Sequence, residues 1–300
     1  TAGYTDGEAA GYTAGETTGY TAGFLAGSGD PNATVITPAD LNASYADGET
    51  VGYTAGMAAG LDTGSTLDTI IARGELWCGV KDSQFGMGYL NADGTYSGLD
   101  IEYCKAVAAA IGIDTIEYIL ATGSNRFELL ASAEIDVLIR TTTWTTSRDA
   151  GLNAGFAGMN FYDGQGMLVN LAQFDGATSA LDLDGANICV GIGTTTEGNL
   201  LDYYDLHGMT MTTINTENAA AAQENFLDGS CGVWTGDMSA MVARMYGLRD
   251  EGMSLAIMPE LLSKEPLGAA TRDNDDDWND VVAWVWYGMI TAEELGITNA

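Results

Sequence analysis

From residue 65 onward the spacing of apolar positions switches repeatedly between helical and extended periods. In "STLDTIIARGELWCGV", Leu67, Ile70 and Ile71 recur at helical spacing behind Ser65 or Thr66, either of which can cap a short helix. "LWCGV" then reads as a buried strand. "GLDIEYCKAVAAAIGI" predicts a strand end running into a helix, and "DVLIR" predicts a strand. "ANICVGIG" predicts another strand, followed by a helix over "TTTEGNLLDYYDLHG". "GVWTGD" predicts a strand leading into the helix "MSAMVARMYGL". "DDDWNDVVAWVWYGMI" predicts an amphipathic helix with an acidic first turn, where the helix dipole favours carboxylates. Strands alternating with helices imply a mostly parallel α/β architecture.

Residues 1–64 follow neither pattern. Gly3, Gly7, Gly11, Gly15, Gly19, Gly23 and Gly27 stand four apart, and Gly48, Gly52, Gly56, Gly60 and Gly64 repeat the arrangement. Tyr4, Tyr12 and Tyr20 follow every second glycine of the first tract. In a strand this even period puts glycines on one face and tyrosines on the other. In a helix the glycine stripe drifts slowly round the axis and lets a second helix approach closely, as GxxxG stripes do. A period above 3.6 favours right-handed winding. Thr37 as N-cap, Pro38 at the first helical position and Asp40 in the first turn favour helices, expected as a hairpin over 2–26 and 38–62. Each interior glycine costs ~1 kcal/mol relative to alanine, so such helices are weak alone. The segment is either a flexible stalk or is ordered by packing, and packing against copies of itself in open head-to-tail fashion gives filaments. Between the tracts, Asn32 and Asn42 head N-x-S/T triplets that can accept a glycan.

Length and charge narrow the function classes. Three hundred residues suit one large domain or two ordinary ones. The longest apolar runs are too short to span a bilayer, so no membrane insertion is expected. No signal peptide stands at the start, so the chain is expected to be cytosolic or to have lost a signal. Forty-two acids against ten bases leave a net charge of −32, which argues against nucleic acid and anionic membrane as partners. Salt screens such self-repulsion within about 10 Å at 0.1 M, so salty surroundings explain the charge as well as a merely soluble acidic surface does. Cys78, Cys104, Cys189 and Cys231 match no zinc pattern, and with His207 as the one histidine no metal site is expected. Free thiols and two disulfides both remain open on spacing alone.

Catalytic chemistry is poorly represented. No nucleophile–base pair is evident, and "GIGTTTEGN" lacks the glycine order of a dinucleotide fingerprint and the lysine of a P-loop, so no enzyme and no cofactor are expected. Three places suit ligand binding instead. "RTTTWTTSRD" follows the strand "DVLI", and ligands of open α/β sheets bind at strand C-terminal ends. There Arg148 can clamp a carboxylate, with Thr141 and Thr143 adding hydroxyls. "GTTTEG" lies at a strand-to-helix junction, where free N–H groups and the dipole attract an anion beside Thr195 and Thr196. In "GVWTGD", Asp237 ends a strand and can hold an ammonium group. Arginine and a helix N-terminus for a carboxylate, plus an aspartate for an ammonium, together describe a free L-amino acid.

The motifs "TLDTIIARGELWCGV", "GLDIEYCKAVAAAIG", "RTTTWTTSRD", "YDGQGM", "CVGIGTTTEGNL", "LLSKEPLGAATR" and "AEELGIT" occur in the order found in amino-acid-binding proteins of ABC transporters. From about residue 66 the chain resembles that periplasmic or extracellular family, its general L-amino-acid binders in particular. The resemblance leaves out residues 1–64. It implies the type II periplasmic-binding-protein fold: two α/β lobes, here 65–164 plus 262–300 and 165–261, joined by two crossover strands and closing like a clamshell. It implies Arg148 on the ligand α-carboxylate supported by Thr143 and Thr195, Asp237 with the Thr141 region on the ammonium, and Phe85 as an apolar wall of the side-chain pocket. Lys81 and Gln84 fall where ligand choice varies. It further implies bridges Cys78–Cys104 and Cys189–Cys231, export from the cytoplasm, and an ABC permease as partner. Two functions follow: a solute-binding protein whose residues 1–64 self-associate, or a subunit of an extracellular filament that retains the solute-binding fold.

Overall fold

The structure, a computed structural model, describes residues 65–298. The glycine tracts, the hairpin expected over 2–26 and 38–62, and Asn32 and Asn42 lie outside the described residues.

Helix α1 (Thr66–Arg73) is capped by Ser65, whose hydroxyl accepts the Leu67 N–H at 3.1 Å, and it stops at Gly74 in the left-handed region. Ile70 is fully buried while Ile71 points outward, so the inner face is narrower than the sequence predicts. The buried strand β1 (Leu76–Val80) follows. The short strands β2 (Ser83–Gln84), β3 (Gly88–Leu90) and β4 (Tyr96–Ser97) make a small antiparallel sheet of their own. The strand end predicted over "GLDI" is absent, because α2 (Leu99–Ala110) starts at once after Gly98. Gly98 turns the chain at φ 115°, and a Cβ there would sit 2.1 Å from the Met87 carbonyl oxygen. Strand β5 (Ile116–Leu120), helix α3 (Arg126–Ala131), the wholly buried strand β6 (Val137–Thr143) and the single turn α4 (Thr146–Asp149) lead to β7 (Ala154–Asn170).

The second half runs through β8 (Ala186–Gly191), α5 (Thr195–His207), β9 (Met211–Thr216), α6 (Ala219–Leu227), β10 (Val233–Asp237) and α7 (Met238–Gly247); β8, α5, β10 and α7 fall where the sequence predicts them, and β9 and α6 are additional. Strands β11 (Leu255–Ile257) and β12 (Lys264–Arg272) then precede α8 (Asp276–Glu294). Asp275 caps α8, and Asp276 and Asp277 fill its acidic first turn. No helix among the described residues is long and apolar enough to cross a membrane.

The main sheet runs β5-β1-β6-β12-β7-β10-β8-β9. Its flanks are parallel, but β6–β12, β12–β7 and β7–β10 are antiparallel, so the sheet is mixed rather than mostly parallel. The reason is the 17-residue β7, which pairs with β12 as far as Gly164 and with β10 from Gln165 onward. One strand thereby serves two lobes. Each lobe has its own apolar interior: Ile70, Leu76, Val107, Ile139 and Trp278 in the first, Ile188, Val190, Leu200, Tyr204 and Phe226 in the second. Full burial of each such side chain contributes about 1.5–3 kcal/mol. Cys78 of β1 bonds Cys104 of α2, and Cys189 of β8 bonds Cys231 just before β10, one bridge per lobe.

Candidate functional site

The carboxyl ends of β6, β8 and β10 face one another across a cavity of about 120 Å³. The lobes meet closely here. A Cβ on Gly123 would lie 2.6 Å from the Ile192 carbonyl oxygen, and Gly193 at φ 70° leaves a Cβ only 3.1 Å from that of Gly123. Of the sequence-predicted residues, Thr141, Thr143, Arg148, Thr195, Thr196 and Asp237 line this cavity. Phe85 does not. Gln84 ends β2 and takes its buried side, and Phe85 lies in the turn that follows. Gln84 is 1% exposed and donates to Ser239 Oγ at 2.9 Å, whereas Phe85 is 66% exposed against the edge of Tyr89.

Arg148 owes its position to α4. The Thr145 hydroxyl accepts the Arg148 N–H at 3.3 Å, and Arg148 Nη1 donates to the Thr143 carbonyl at 2.8 Å. Burial lowers its pKa to about 10, partly opposed by the Glu265 carboxylate, so the guanidinium keeps its charge at neutral pH. Thr141 has φ 42°, which for a β-branched residue stores strain. Its N–H donates at 3.2 Å to buried Asp100, which holds that conformation. Burial raises the Asp100 pKa to about 6.

Thr195 and Thr196 open α5 behind the N-cap Thr194. The Thr196 carbonyl accepts from Gln165 Nε2 at 2.9 Å, and the same nitrogen donates to Thr235 Oγ1 at 3.0 Å. Asp237 ends β10 and stands at the N-cap position of α7 without a side-chain capping bond. Burial raises its pKa, and the charge of Lys81 is the largest influence opposing that rise.

Sequence reasoning missed several residues here. Arg126, Arg140 and Arg244 line the cavity, and Lys81, seen only as a position of variable ligand choice, joins them. The scarcity of bases was the available signal, since five of the chain's ten gather at this place. Glu265 of β12 carried no signal among 42 acids. It is 1% exposed and accepts from four donors: Thr143 Oγ1, Thr195 Oγ1 at 2.9 Å, Asn199 Nδ2 at 2.8 Å and Ser263 Oγ. A hydroxyl has one hydrogen to give. Glu265 therefore commits both threonine hydroxyls, and their oxygens offer lone pairs to the cavity rather than the donors expected for a carboxylate. His207 lies at the other end of α5, exposed and 4.5 Å from the Tyr203 ring. No cluster of three potential metal ligands occurs among the described residues.

Residues 76–284 match the family described as bacterial extracellular solute-binding proteins, family 3. The glutamate/glutamine/aspartate/asparagine-binding protein BztA of Rhodobacter capsulatus is 45% identical over 79% of this chain and 70% of its own. The general L-amino acid-binding periplasmic protein AapJ of Rhizobium johnstonii is 40% identical, again over 79% and 70%. A solved ABC transporter periplasmic binding protein from Brucella ovis, with glutathione bound, superposes with a TM-score of 0.74 at 41% identity. That match covers 78% of this chain and 74% of the Brucella one.

Proposed function

The chain belongs to the bacterial extracellular solute-binding proteins, family 3, and we propose that it captures a free L-amino acid between its lobes and presents it to the permease of an ABC transporter. The observation that carries this reading is one small cavity holding Arg148 from the first lobe and Asp237 from the second. Arg148 takes the α-carboxylate together with the first N–H groups of α5, where the dipole adds attraction. Asp237 takes the ammonium, assisted by the lone pairs of Thr143 and Thr195 that Glu265 turns toward it. The relatives named for amino acids support the same class. Binding of both lobes by one zwitterion favours the closed arrangement by its differential contacts with the two lobes. Isothermal titration of the intact chain with the common L-amino acids tests the reading. Arg148→Ala is expected to lose at least about 100-fold in affinity, the order of a charge-assisted bidentate pair. Unchanged affinity in that variant refutes the assignment.

Residues 1–64 add a self-association role to the same proposal, resting on the glycine stripe of the sequence alone. The alternative is a filament subunit that retains the binding lobes. Electron microscopy of the intact chain beside a version starting at Ser65 separates the readings. Filaments from the intact chain alone support assembly, and single particles from both reduce the segment to a tether.

A further inference from the structure

We infer that Arg126 and Arg140 form a second anion subsite in the cavity, and that the amino acid selected carries a side-chain carboxylate, glutamate or aspartate in preference to their amides. This rests on the amino-acid reading above and goes beyond it, because the relative named for both acids and amides does not distinguish them.

The charge balance of the cavity is the first argument. Four arginines line it together with Lys81, whose ammonium pKa burial brings down to about 7, against two carboxylates, Asp237 and Glu217, in a chain whose net charge is −32. A zwitterionic backbone uses one arginine and one aspartate. Glu217 is exposed and occupied by Ser124 Oγ at 3.3 Å. With a neutral ligand side chain, Arg126 and Arg140 are left with no carboxylate hydrogen-bonded to them, Asp100 and Asp237 acting on Arg140 only through space, while one more carboxylate answers both.

Unpartnered donors are the second argument. Arg126 is 2% exposed and Arg140 6%, and the Nε–H of each is buried with no acceptor among the described residues. The remaining cations are answered differently: Lys81 by Gln84 Oε1 at 2.7 Å, Arg148 by the Thr143 carbonyl, and Arg244 by the Ser83 carbonyl. Arg126 spends only Nη2, at 3.3 Å, on the Gly193 carbonyl. Buried donors of this kind are costly until something supplies the acceptor. Asp100 acts on Arg140 through space but makes no hydrogen bond to either guanidinium; its oxygens accept from the Thr141 N–H and, at 3.5 Å, from Asn160 Nδ2.

Acid and amide differ in what they can offer. An ionised carboxylate is acceptor-only and matches the guanidinium fork with both oxygens, whereas a carboxamide has one neutral acceptor oxygen and, where it faces two guanidinium groups, sets its NH2 donor against one of them. The amide is thereby rejected as well as less attracted.

Titration calorimetry of the full chain with L-glutamate, L-aspartate, L-glutamine and L-asparagine tests this at fixed salt. The acids are expected to bind at least about 30-fold tighter than their amides. Arg126→Met and Arg140→Met are each expected to bring that ratio down by about tenfold or more. Should either variant fail to fold, the ratio in the unaltered chain decides alone. Equal, tight binding of acids and amides overturns the second subsite and leaves the amino-acid reading standing. Absence of binding by any amino acid overturns both.

Discussion

Glu265→Gln is the perturbation whose cost follows most directly from the structure. The carboxylate is 1% exposed and its two oxygens accept four bonds, which fills the acceptor capacity of an ionised carboxyl group. The donors come from β6, from α5 and from the segment ahead of β12, so the group ties elements of both lobes to the start of β12. Glutamine keeps one oxygen and puts an NH2 in place of the other. The hydroxyls of Thr143 and Thr195 can rotate to accept from it, so the amide turns that way and keeps its oxygen for Asn199 and Ser263. Each of the four bonds then falls from a charge-assisted one, about 1.5–3 kcal/mol, to a neutral one of about 0.5–1.5 kcal/mol. Summed, that is roughly 4 kcal/mol, and relief from burying the charge returns a part. The expected net loss is about 2–3 kcal/mol, read as a lower urea midpoint at unchanged slope, with Tm falling by roughly 5–10 °C. Thr195→Val in the same background measures coupling, expected at about 1 kcal/mol or more. A Glu265→Gln protein within about 0.5 kcal/mol of the parent would refute the four-bond account.

Other consequences are as direct. Burial raises Asp100 to about 6 in the fold, against an unfolded value of 3.8. The folded state therefore retains a proton that the unfolded chain releases, and the stability from this group is full below about pH 4 and lost as pH rises through about 6. The difference is about 3 kcal/mol, so Asp100→Asn should flatten the stability profile between those values, and an unaltered profile in urea titrations would dismiss the shift. Removing the Cys189–Cys231 bridge, which closes 42 residues, should cost about 4 kcal/mol by chain entropy, measured by denaturation of the double alanine variant. An acidic ligand approaches a chain of net charge −32 against repulsion. Its association rate in stopped flow should rise as salt goes from about 0.01 to 0.1 M and the screening length contracts from about 30 to 10 Å. A falling rate would mean that the local field of the cavity governs the approach.

The sequence made legible those parts of the fold where one face of an element meets the core. β1, β8, β10, α5, α7 and α8 all follow from runs of apolar residues with a cap or a glycine at the end. β7 did not, because "AGFAGMNFYDGQGMLVN" shares its length between two lobes, irregularly covered over its first part and continuously buried from Gly164 to Val169, so that no single period runs through it. Its antiparallel partners are far away in sequence, so the mixed sheet was equally hidden. At the site, strand ends and a helix N-terminus were readable because position alone gives them their chemistry. Arg126, Arg140 and Glu265 act through burial and through partners brought from other elements, and neither is written in local spacing. Phe85 shows the converse: it falls in the turn just past β2 and stays exposed, while its neighbour Gln84 on the strand is buried.

Opposite charges in so small a cavity raise the question of why they do not neutralise each other. Arg148 and Asp237 form none of the ion pairs among the described residues, which are Arg73–Asp136, Lys105–Glu102 and Arg249–Asp250. Arg148 is held back by the Thr143 carbonyl on one lobe, and Asp237 is fixed on the other by the β10–α7 junction. Burying both without a mutual ion pair costs solvation, and burial accordingly lowers the Arg148 pKa and raises that of Asp237. That cost is a feature of preorganisation: the side chains need not be reorganised when a zwitterion arrives, and less of the interaction is spent on ordering. The same logic covers Arg126 and Arg140, whose Nε–H donors have no acceptor among the described residues and are dear to maintain until one is supplied.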